Sequence, residues 1–260
     1  MTSSGTVSQV DETRRPLILV SNDDGVDAAG IAALASAAAS LGEVWVVAPA
    51  TEQSGVSSAL SLHTPLRVYS KGERRFAVTG TPADCVYMAL QNLLPRRPAL
   101  CLSGVNHGAN LADDVLYSGT VAAAIEATIS EVPSVAVSLA AYGKGLDYGE
   151  AARIAVEYGA KVLSKGLPRD TLLNINVPRE ARAGETERRV CKLGRRNYMR
   201  QVSAQHDPRG RAYYWIGGAE IDFDDLPGSD CNAIVDGVIS VTPLQVDMTR
   251  HRFLNELSQW

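Results

Sequence analysis

The stretch that decides the fold is residues 16–26, PLILVSNDDGV. Its apolar run begins after a proline and ends in polar, turn-forming residues, which predicts a buried strand followed by a loop. The alanine-rich segment 29–41 is closed by a glycine and predicts a helix, and residues 43–48, EVWVVA, predict the next strand. A strand, a helix and a strand in this order form a βαβ unit, and such a unit implies a parallel sheet.

The same alternation continues beyond the first unit. The patterns predict helices over 82–94, 120–130 and 149–165, and strands over 99–103, 134–138 and 171–177. The apolar runs in the strands are continuous rather than alternating, which is typical of strands covered on both faces. The predicted fold class is therefore α/β, with a mostly parallel sheet and helices on both faces.

Composition excludes several classes of protein. The chain has 260 residues with 25 Lys and Arg against 29 Asp and Glu, and this net charge of −4 argues against a partner made of nucleic acid. We expect no membrane partner, because no apolar stretch approaches the roughly 18 residues that span a bilayer. Residues 1–15 are polar and predict a disordered tail rather than a secretory signal.

Four scattered cysteines do not form a zinc pattern, and with no signal peptide they favour reduced thiols in the cytoplasm.

The composition changes after residue 180. Charged and aromatic residues are dense over 180–230, which predicts a β-hairpin-like excursion, with strands over 190–193 and 211–216 inside it and over 238–242 after it. The arginines 195, 196 and 200 are interpreted as a solvated hairpin face, with an oligomer contact or a substrate-steering patch as the alternative. A final helix is predicted over 245–257.

Polar side chains follow three of the predicted strands, at the edge of a parallel sheet where ligands bind. Asp23 and Asp24 follow the first strand, Ser54 follows the second, and Asn106 follows the strand at 99–103. Two adjacent carboxylates repel each other unless a cation lies between them, and Mg²⁺ and Mn²⁺ prefer such oxygen ligands. These four residues therefore predict a site for one divalent ion per subunit. The alternative for Asp-Asp-Gly alone is a turn and helix cap.

A second polar group predicts where a phosphate would bind. Ser118, Gly119 and Thr120 open a predicted helix, whose free N–H groups and dipole favour an anion; an ordinary helix cap explains them equally well. The same two alternatives, an anion site and an ordinary local cap, apply to Ser54 and Gly55. Asn22, at the end of the first strand, is assigned to this substrate site with Ser54, Gly55, Gly119 and Thr120.

Other familiar sites are absent from the sequence. There is no G-x-x-x-x-G-K-[ST] loop, no G-x-G-x-x-G after the first strand and no G-x-S-x-G elbow. A receiver domain also has an acidic pair after its first strand, but this chain is about twice as long and lacks the acceptor aspartate after a middle strand.

Seven blocks of sequence together closely resemble the SurE survival-protein family of metal-dependent 5′/3′-nucleotidases. They run in order through most of the chain: 18–26 (ILVSNDDGV), 54–57 (SGVS), 80–84 (GTPAD), 103–108 (SGVNHG), 117–121 (YSGTV), 174–178 (NINVP) and 240–244 (SVTPL). The resemblance implies a Rossmann-like core and a single domain over 16–260. It also implies dimers or tetramers with a protruding β-hairpin and an exchanged C-terminal segment.

The resemblance also implies roles for particular residues. It makes Asp23, Asp24, Ser54 and Asn106 the metal ligands and Ser118 an active-site serine, and it transfers no role to His107. We expect hydrolysis of nucleoside monophosphates by a metal-activated water, with Asp23, Asp24, Asn106 and Ser118 as the catalytic group. A broader phosphatase or exopolyphosphatase, and a non-catalytic metal-dependent nucleotide sensor, remain the alternatives.

Overall fold

A nine-stranded sheet forms the centre of the structure, a computed structural model that describes residues 15–198, 202–216 and 221–260. The strands are β1 Leu17–Ser21, β2 Glu43–Pro49, β3 Val68–Gly72, β4 Arg75–Val78, β5 Leu100–His107, β6 Ser134–Ala140, β7 Thr171–Pro178, β8 Arg188–Val190, β9 Arg196–Tyr198, β10 Val202–His206, β11 Ala212–Ile216, β12 Ile221–Phe223 and β13 Ile239–Gln245. The predicted tail, apart from Arg15, and Arg200 lie outside the described residues.

Six helices accompany the strands within the described residues. They are α1 Ala29–Ala38, α2 Pro82–Met88, α3 Gly119–Ile129, α4 Gly149–Lys165, α5 Asp230–Val235 and α6 Leu254–Leu257. A π-helical turn, Ala89–Leu93, continues α2, and 3₁₀ turns form at Ala112–Leu116 and His251–Phe253. No helix in the described part of the chain is long and apolar enough to span a membrane.

The strand order is β3-β4-β2-β1-β5-β6-β7-β13-β8. The six strands from β4 to β7 in this order are mutually parallel, while β3 and β13 pair antiparallel with β4 and β7. The prediction of a mostly parallel α/β sheet is therefore confirmed.

Helices cover both faces of the sheet, as the continuous apolar strands predict. Ile18 and Leu19 are successive residues of β1, so their side chains point to opposite faces. Ile18 packs in a cluster with Ile31 of α1 and Ile154 of α4. Leu19 packs in a separate cluster with Val86 of α2 and residues of α3. Both β1 residues are completely buried, as expected for a strand that is covered on both faces.

Several boundaries differ from the predicted ones. Helix α1 ends at Ala38 rather than residue 41, because Ser40 donates both its backbone N–H and its hydroxyl to the carbonyl of Ala37. Strand β5 does not stop at residue 103. It continues to His107 through an irregular register against β6, so Asn106 lies on a strand and not in a loop.

The segment 180–230 contains two antiparallel ribbons, β10–β11 and β9–β12, in keeping with the predicted hairpin. Strand β8, at Arg188–Val190, begins two residues before the predicted 190–193, overlaps it only at Val190, and pairs with β13. Two features were not predicted: the β3–β4 hairpin and helix α5, which Ser229 caps by accepting a hydrogen bond from the N–H of Asn232.

The predicted helix over 245–257 is wrong. Strand β13 continues to Gln245, and helical structure begins only with a 3₁₀ turn at His251–Phe253, before the short α6. The side chain of Asp247 accepts a hydrogen bond from the N–H of Thr249, at 2.9 Å. This local bond satisfies the backbone in a turn and competes with a helix at that point.

Candidate active site

A pocket of about 420 Å³ opens at the carboxyl ends of β1 and β5, beside the N-terminus of α3. It is lined by Asp23, Ser54, Gly55, Asn106, His107, Gly108, Ala109, Asn110, Asp114, Tyr117, Ser118 and Tyr142. Five residues predicted from sequence are thus brought together. Of the other predicted residues, all of them in the described part of the chain, Asn22, Asp24, Gly119 and Thr120 lie beside the pocket lining rather than in it.

Asp23 is the buried acid of the site. Its side chain is 4% exposed, and its Oδ1 accepts a short hydrogen bond from the hydroxyl of Thr120. A Cβ added at Gly119 would lie 2.7 Å from the Cβ of Asp23, so only glycine allows the helix to approach this closely. Thr120 and Gly119 therefore hold the carboxylate against the N-terminus of α3. As phosphate ligands, the two residues remain a prediction.

Burial raises the pKa of Asp23 from 3.8 to about 6, and the neighbouring charge of Asp24 adds to this rise. The hydrogen bond from Thr120 acts in the opposite direction, because it stabilises the ionised form. Desolvation is the largest of these effects. The folded protein therefore carries the charge of Asp23 only at a cost.

Asp24 is turned toward His107 on β5. Its Oδ2 accepts a hydrogen bond from the backbone N–H of His107 at 3.2 Å, and its Oδ1 lies 3.6 Å from Nδ1 of the same residue. Burial raises the pKa of Asp24, and the contacts with His107 partly offset that rise. The two carboxylates are adjacent in sequence, but each is held by a different element.

Asn106 and Ser54 supply neutral oxygens. The amide nitrogen of Asn106 donates to the carbonyl of Gly108 at 2.7 Å, and its Oδ1 accepts no hydrogen bond within the described residues. Ser54 Oγ donates to Glu52 at 2.9 Å, which leaves the lone pairs of the hydroxyl available. Both oxygens can therefore act as ligands.

Ser118 is the N-cap of α3. Its Oγ accepts a hydrogen bond from the N–H of Val121 at 3.1 Å, and its backbone N–H donates to the carbonyl of Asp114. The N–H groups of Gly119 and Thr120, at the first positions of the helix, have no partner inside it. The positive end of the helix dipole also lies here, so this corner of the pocket favours negative charge.

The donor set fits a hard divalent ion. Two carboxylates, an amide oxygen and a hydroxyl are the ligands that Mg²⁺ and Mn²⁺ prefer. Within the described residues no group of three or more His, Cys, Asp and Glu side chains could hold a metal ion, so the fit depends on the amide and hydroxyl oxygens of Asn106 and Ser54 beside the two carboxylates. The buried Oδ1 of Asn22, next to Asp23, has no hydrogen-bond partner in this part of the chain, which is unusual for a buried oxygen.

A network of amides supports the far wall of the pocket. Asn110 donates its backbone N–H to Oδ1 of Asn176 at 2.8 Å, and its carbonyl accepts from the amides of Asn174 and Asn176 at 2.9 Å. The side chain of Asn110 donates to Ser138. The block NINVP therefore holds the loop that follows β5.

Residues of the segment 180–230 also contact the wall of the pocket. Arg196 is nearly buried and forms an ion pair with Asp114, so the interpretation of this arginine as part of a solvated face is wrong. Asp230, at the start of α5, accepts hydrogen bonds from the N–H groups of Ala112 and Gly194, at 3.0 and 2.7 Å. These contacts tie residues 192–198 to the turn that precedes Ser118.

The sequence places Asp114 and Tyr117 in the polar patch 113–120 that leads into α3 but gives them no role, and it does not predict Tyr142, although all three line the pocket. Tyr142 comes two residues after the end of β6, the neighbour of β5 in the sheet. The rule that ligands bind beyond the carboxyl ends of strands would have found it, had it been applied to this strand as well.

An open, mostly parallel sheet with an acidic pocket at its carboxyl edge and a helix N-terminus beside it defines the chain as an α/β enzyme of the doubly wound class. The model of the family described as Survival protein SurE matches residues 18–200. The chain belongs to the SurE family.

Similar proteins extend over nearly the whole chain. It is 51% identical to the 5′-nucleotidase SurE of Pelobacter propionicus over 243 residues, which cover 94% of this chain and 98% of that protein. It is also 51% identical to the 5′-nucleotidase SurE of Myxococcus xanthus over 248 residues, covering 94% and 92%. The crystal structure of the SurE protein from Aquifex aeolicus superimposes with a TM-score of 0.82 at 38% identity, covering 94% and 99%.

Proposed function

We propose that this protein is a metal-dependent 5′-nucleotidase that hydrolyses nucleoside 5′-monophosphates to nucleoside and phosphate, with some action on 3′-monophosphates. The observation that carries the proposal is the contact of Asp23 with the N-terminus of α3, in a pocket shared with Ser54 and Asn106. A cation site and an anion site thus adjoin, as phosphoryl transfer requires. The similar proteins called 5′-nucleotidase support this choice of substrate.

One divalent ion per subunit, Mg²⁺ or Mn²⁺, is proposed at Asp23, Asp24, Ser54 and Asn106. When bound, it would neutralise phosphoryl oxygens and activate water as the nucleophile. The protein contributes orientation. Thr120 and His107 fix the two carboxylates, and Gly108 fixes the amide of Asn106.

The remaining residues act on the substrate. We assign the binding of the phosphate to the N–H groups of Gly119 and Thr120 and the hydroxyl of Ser118, assisted by Gly55 and Asn22. Either Asp23 or Asp24 orients the attacking water and accepts its proton. Since the phosphate meets fixed N–H groups and needs no reorganisation of the protein, the developing charge is stabilised as it forms.

The test is a phosphate-release panel. Nucleoside 5′- and 3′-monophosphates, a short polyphosphate and a simple phosphomonoester are compared with Mg²⁺, with Mn²⁺ and with EDTA. We expect 5′-monophosphates to be the best substrates, and EDTA to abolish turnover. Preferential release from polyphosphate, or recovery of intact nucleotide from a tight complex, would replace the proposal with one of its alternatives.

A matched pair of variants tests the metal ligands. Asp23→Asn should lose at least a hundredfold in kcat with Mn²⁺ present. Asp27→Asn is the control, because Asp27 is exposed and forms ion pairs with Lys71 and Arg75 outside the pocket. Activity of Asp23→Asn within threefold of the control would contradict the assignment.

The protein is further proposed to be a homodimer or homotetramer. A groove of about 620 Å³ between α3 and β13 is lined largely by apolar residues, among them Leu116, Ile129 and Met248, all three of which are exposed. Trp215 of the β10–β11 hairpin and Trp260 near the chain end are exposed as well. Apolar surface of this extent marks an interaction site. Light scattering of the full chain measures the oligomeric state. Removal of residues 246–260 tests whether the C-terminal segment is needed for the oligomer to form.

A cytoplasmic location is part of the proposal. All four cysteines, which lie in the described residues, are buried and unpaired. Free thiols persist in a reducing compartment. Cell fractionation with an antibody to the protein checks this location.

A further inference from the structure

Tyr142 lies at the opening of the pocket, and its burial and hydrogen bonds do not explain why a tyrosine is found there. Tyr142 follows β6 and lines the same pocket as Asp23 and Ser118. Its side chain is 61% exposed, although a large aromatic ring gains stability from burial. No hydrogen bond of its hydroxyl is found in the described part of the chain.

The ring is nevertheless held in place. A Cβ at Gly108 would lie 2.6 Å from the ring, so the phenol rests directly on the backbone of the loop after β5. Gly108 has a φ of +100°, a conformation that favours glycine in any case. The ring of His107 meets it edge to face, with centroids 6.0 Å apart and an interplanar angle of 80°. Tyr142 is therefore an ordered, exposed aromatic surface.

The chemistry of the pocket limits what that surface can meet. Of the lining residues, Asp23 and Asp114 are the acids, and Asp114 is paired with Arg196. The lining contains no lysine or arginine, so a second phosphate group would find no countercharge among these described residues. The pocket, at about 420 Å³, is also larger than one phosphate needs. The part beyond the phosphate corner suits an uncharged, planar group.

We propose that Tyr142 stacks on the base of the nucleoside monophosphate and so favours nucleotides, whichever base they carry, over phosphomonoesters that have no base. The inference rests on the proposed function and extends it to the part of the substrate that does not react. Stacking on an aromatic ring accepts every base, because each base has a π-face. Tyr117, 63% exposed on the same pocket, offers a second ring for the sugar or base.

The test compares two substrates that differ only in the base: adenosine 5′-monophosphate and ribose 5-phosphate. For Tyr142→Ala with Mn²⁺ we expect KM for the nucleotide to rise on the order of tenfold, which is the effect of losing one base–aromatic stack. Values of kcat for the nucleotide and kcat/KM for ribose 5-phosphate should stay within twofold of wild type. Tyr142→Phe should restore the wild-type KM, since it keeps the ring.

Tyr87→Ala is the matched control, because Tyr87 is also an exposed tyrosine but lies on α2, outside the pocket lining. It should leave both substrates unchanged. Equal losses on both substrates for Tyr142→Ala would indicate a structural role and overturn the inference. An unchanged KM for the nucleotide would overturn it as well, while leaving the proposed function intact. If the wild-type protein hydrolyses ribose 5-phosphate but no nucleotide, both the proposed function and the stacking role fall.

Discussion

Replacing Asp23 by asparagine should make the metal-free protein more stable. Asn has nearly the same shape and keeps an oxygen that can accept the hydrogen bond of Thr120. It removes only the negative charge. Because Asp23 is 4% exposed and stands next to Asp24, that charge is held in an unfavourable environment.

The pKa sets the size and the pH range of the effect. The pKa of Asp23 rises from 3.8 to about 6 on folding, and each pKa unit corresponds to about 1.4 kcal/mol, so ionisation costs the folded state up to about 3 kcal/mol. Below pH 3.8 the carboxyl group is protonated in both states and costs nothing. The cost accumulates between pH 3.8 and 6, where the unfolded chain is ionised first, and stays constant above pH 6.

The assay is thermal unfolding in EDTA at pH 4 and pH 7.5. At pH 7.5 the melting temperature of the Asp23→Asn variant should exceed that of wild type by up to about 6–12 °C for a chain of this size. At pH 4 the two melting temperatures should differ by much less. Mn²⁺ should then raise the melting temperature of wild type more than that of the variant, because the variant keeps only one of the two carboxylates of the proposed metal site.

The control is again Asp27→Asn, which removes an exposed, paired charge and should shift the melting temperature little at either pH. A variant at position 23 that is less stable than wild type by the same amount at both pH values would refute the reasoning. Such a result would mean that the charge of Asp23 is not desolvated in the folded protein.

Two further variants test how the site is built. Gly119→Ala should reduce kcat at least tenfold, since the new Cβ would lie 2.7 Å from that of Asp23; the phosphate-release assay measures it, and wild-type kcat would show that the helix can retreat. Asp230→Ala leaves the buried N–H groups of Ala112 and Gly194 without their acceptor and should lower the free energy of unfolding by about 2–4 kcal/mol, measured in urea. If this variant were as stable as wild type, the contacts of Asp230 would not stabilise the attachment of residues 192–198 to the pocket.

The parts of the site that could be predicted from sequence follow a single geometric rule. Asp23 and Asn106 belong to β1 and β5, which are parallel neighbours, so their carboxyl ends meet at one edge whatever the exact strand lengths. This explains why the error in the end of β5 did not disturb the prediction that Asn106 lies at the site. Ser118 was recognisable because N-cap residues are few in kind and precede a helical pattern.

The contacts that orient these residues could not be predicted. Thr120 and Asp23 are 97 residues apart, and Ala112 and Asp230 are 118 apart. Local patterns identify strands and caps within a window of about ten to twenty residues. They carry no information on which polar side chain, on another element, will be packed close enough to donate a bond. The sequence therefore predicts a solvated face for the arginines at 195, 196 and 200, although Arg196 pairs with Asp114 in the pocket wall.

The buried position of Asp23 connects stability with function. The helix N-terminus and Thr120 favour its charge, yet desolvation outweighs them and the pKa rises to about 6. Gly119 brings that helix end so close that one substitution would move both the carboxylate and the anion-binding N–H groups. A more exposed aspartate would ionise at less cost, but it would gain less from a bound cation. The electrostatic cost in the metal-free protein and the strength of the proposed metal site therefore have the same cause.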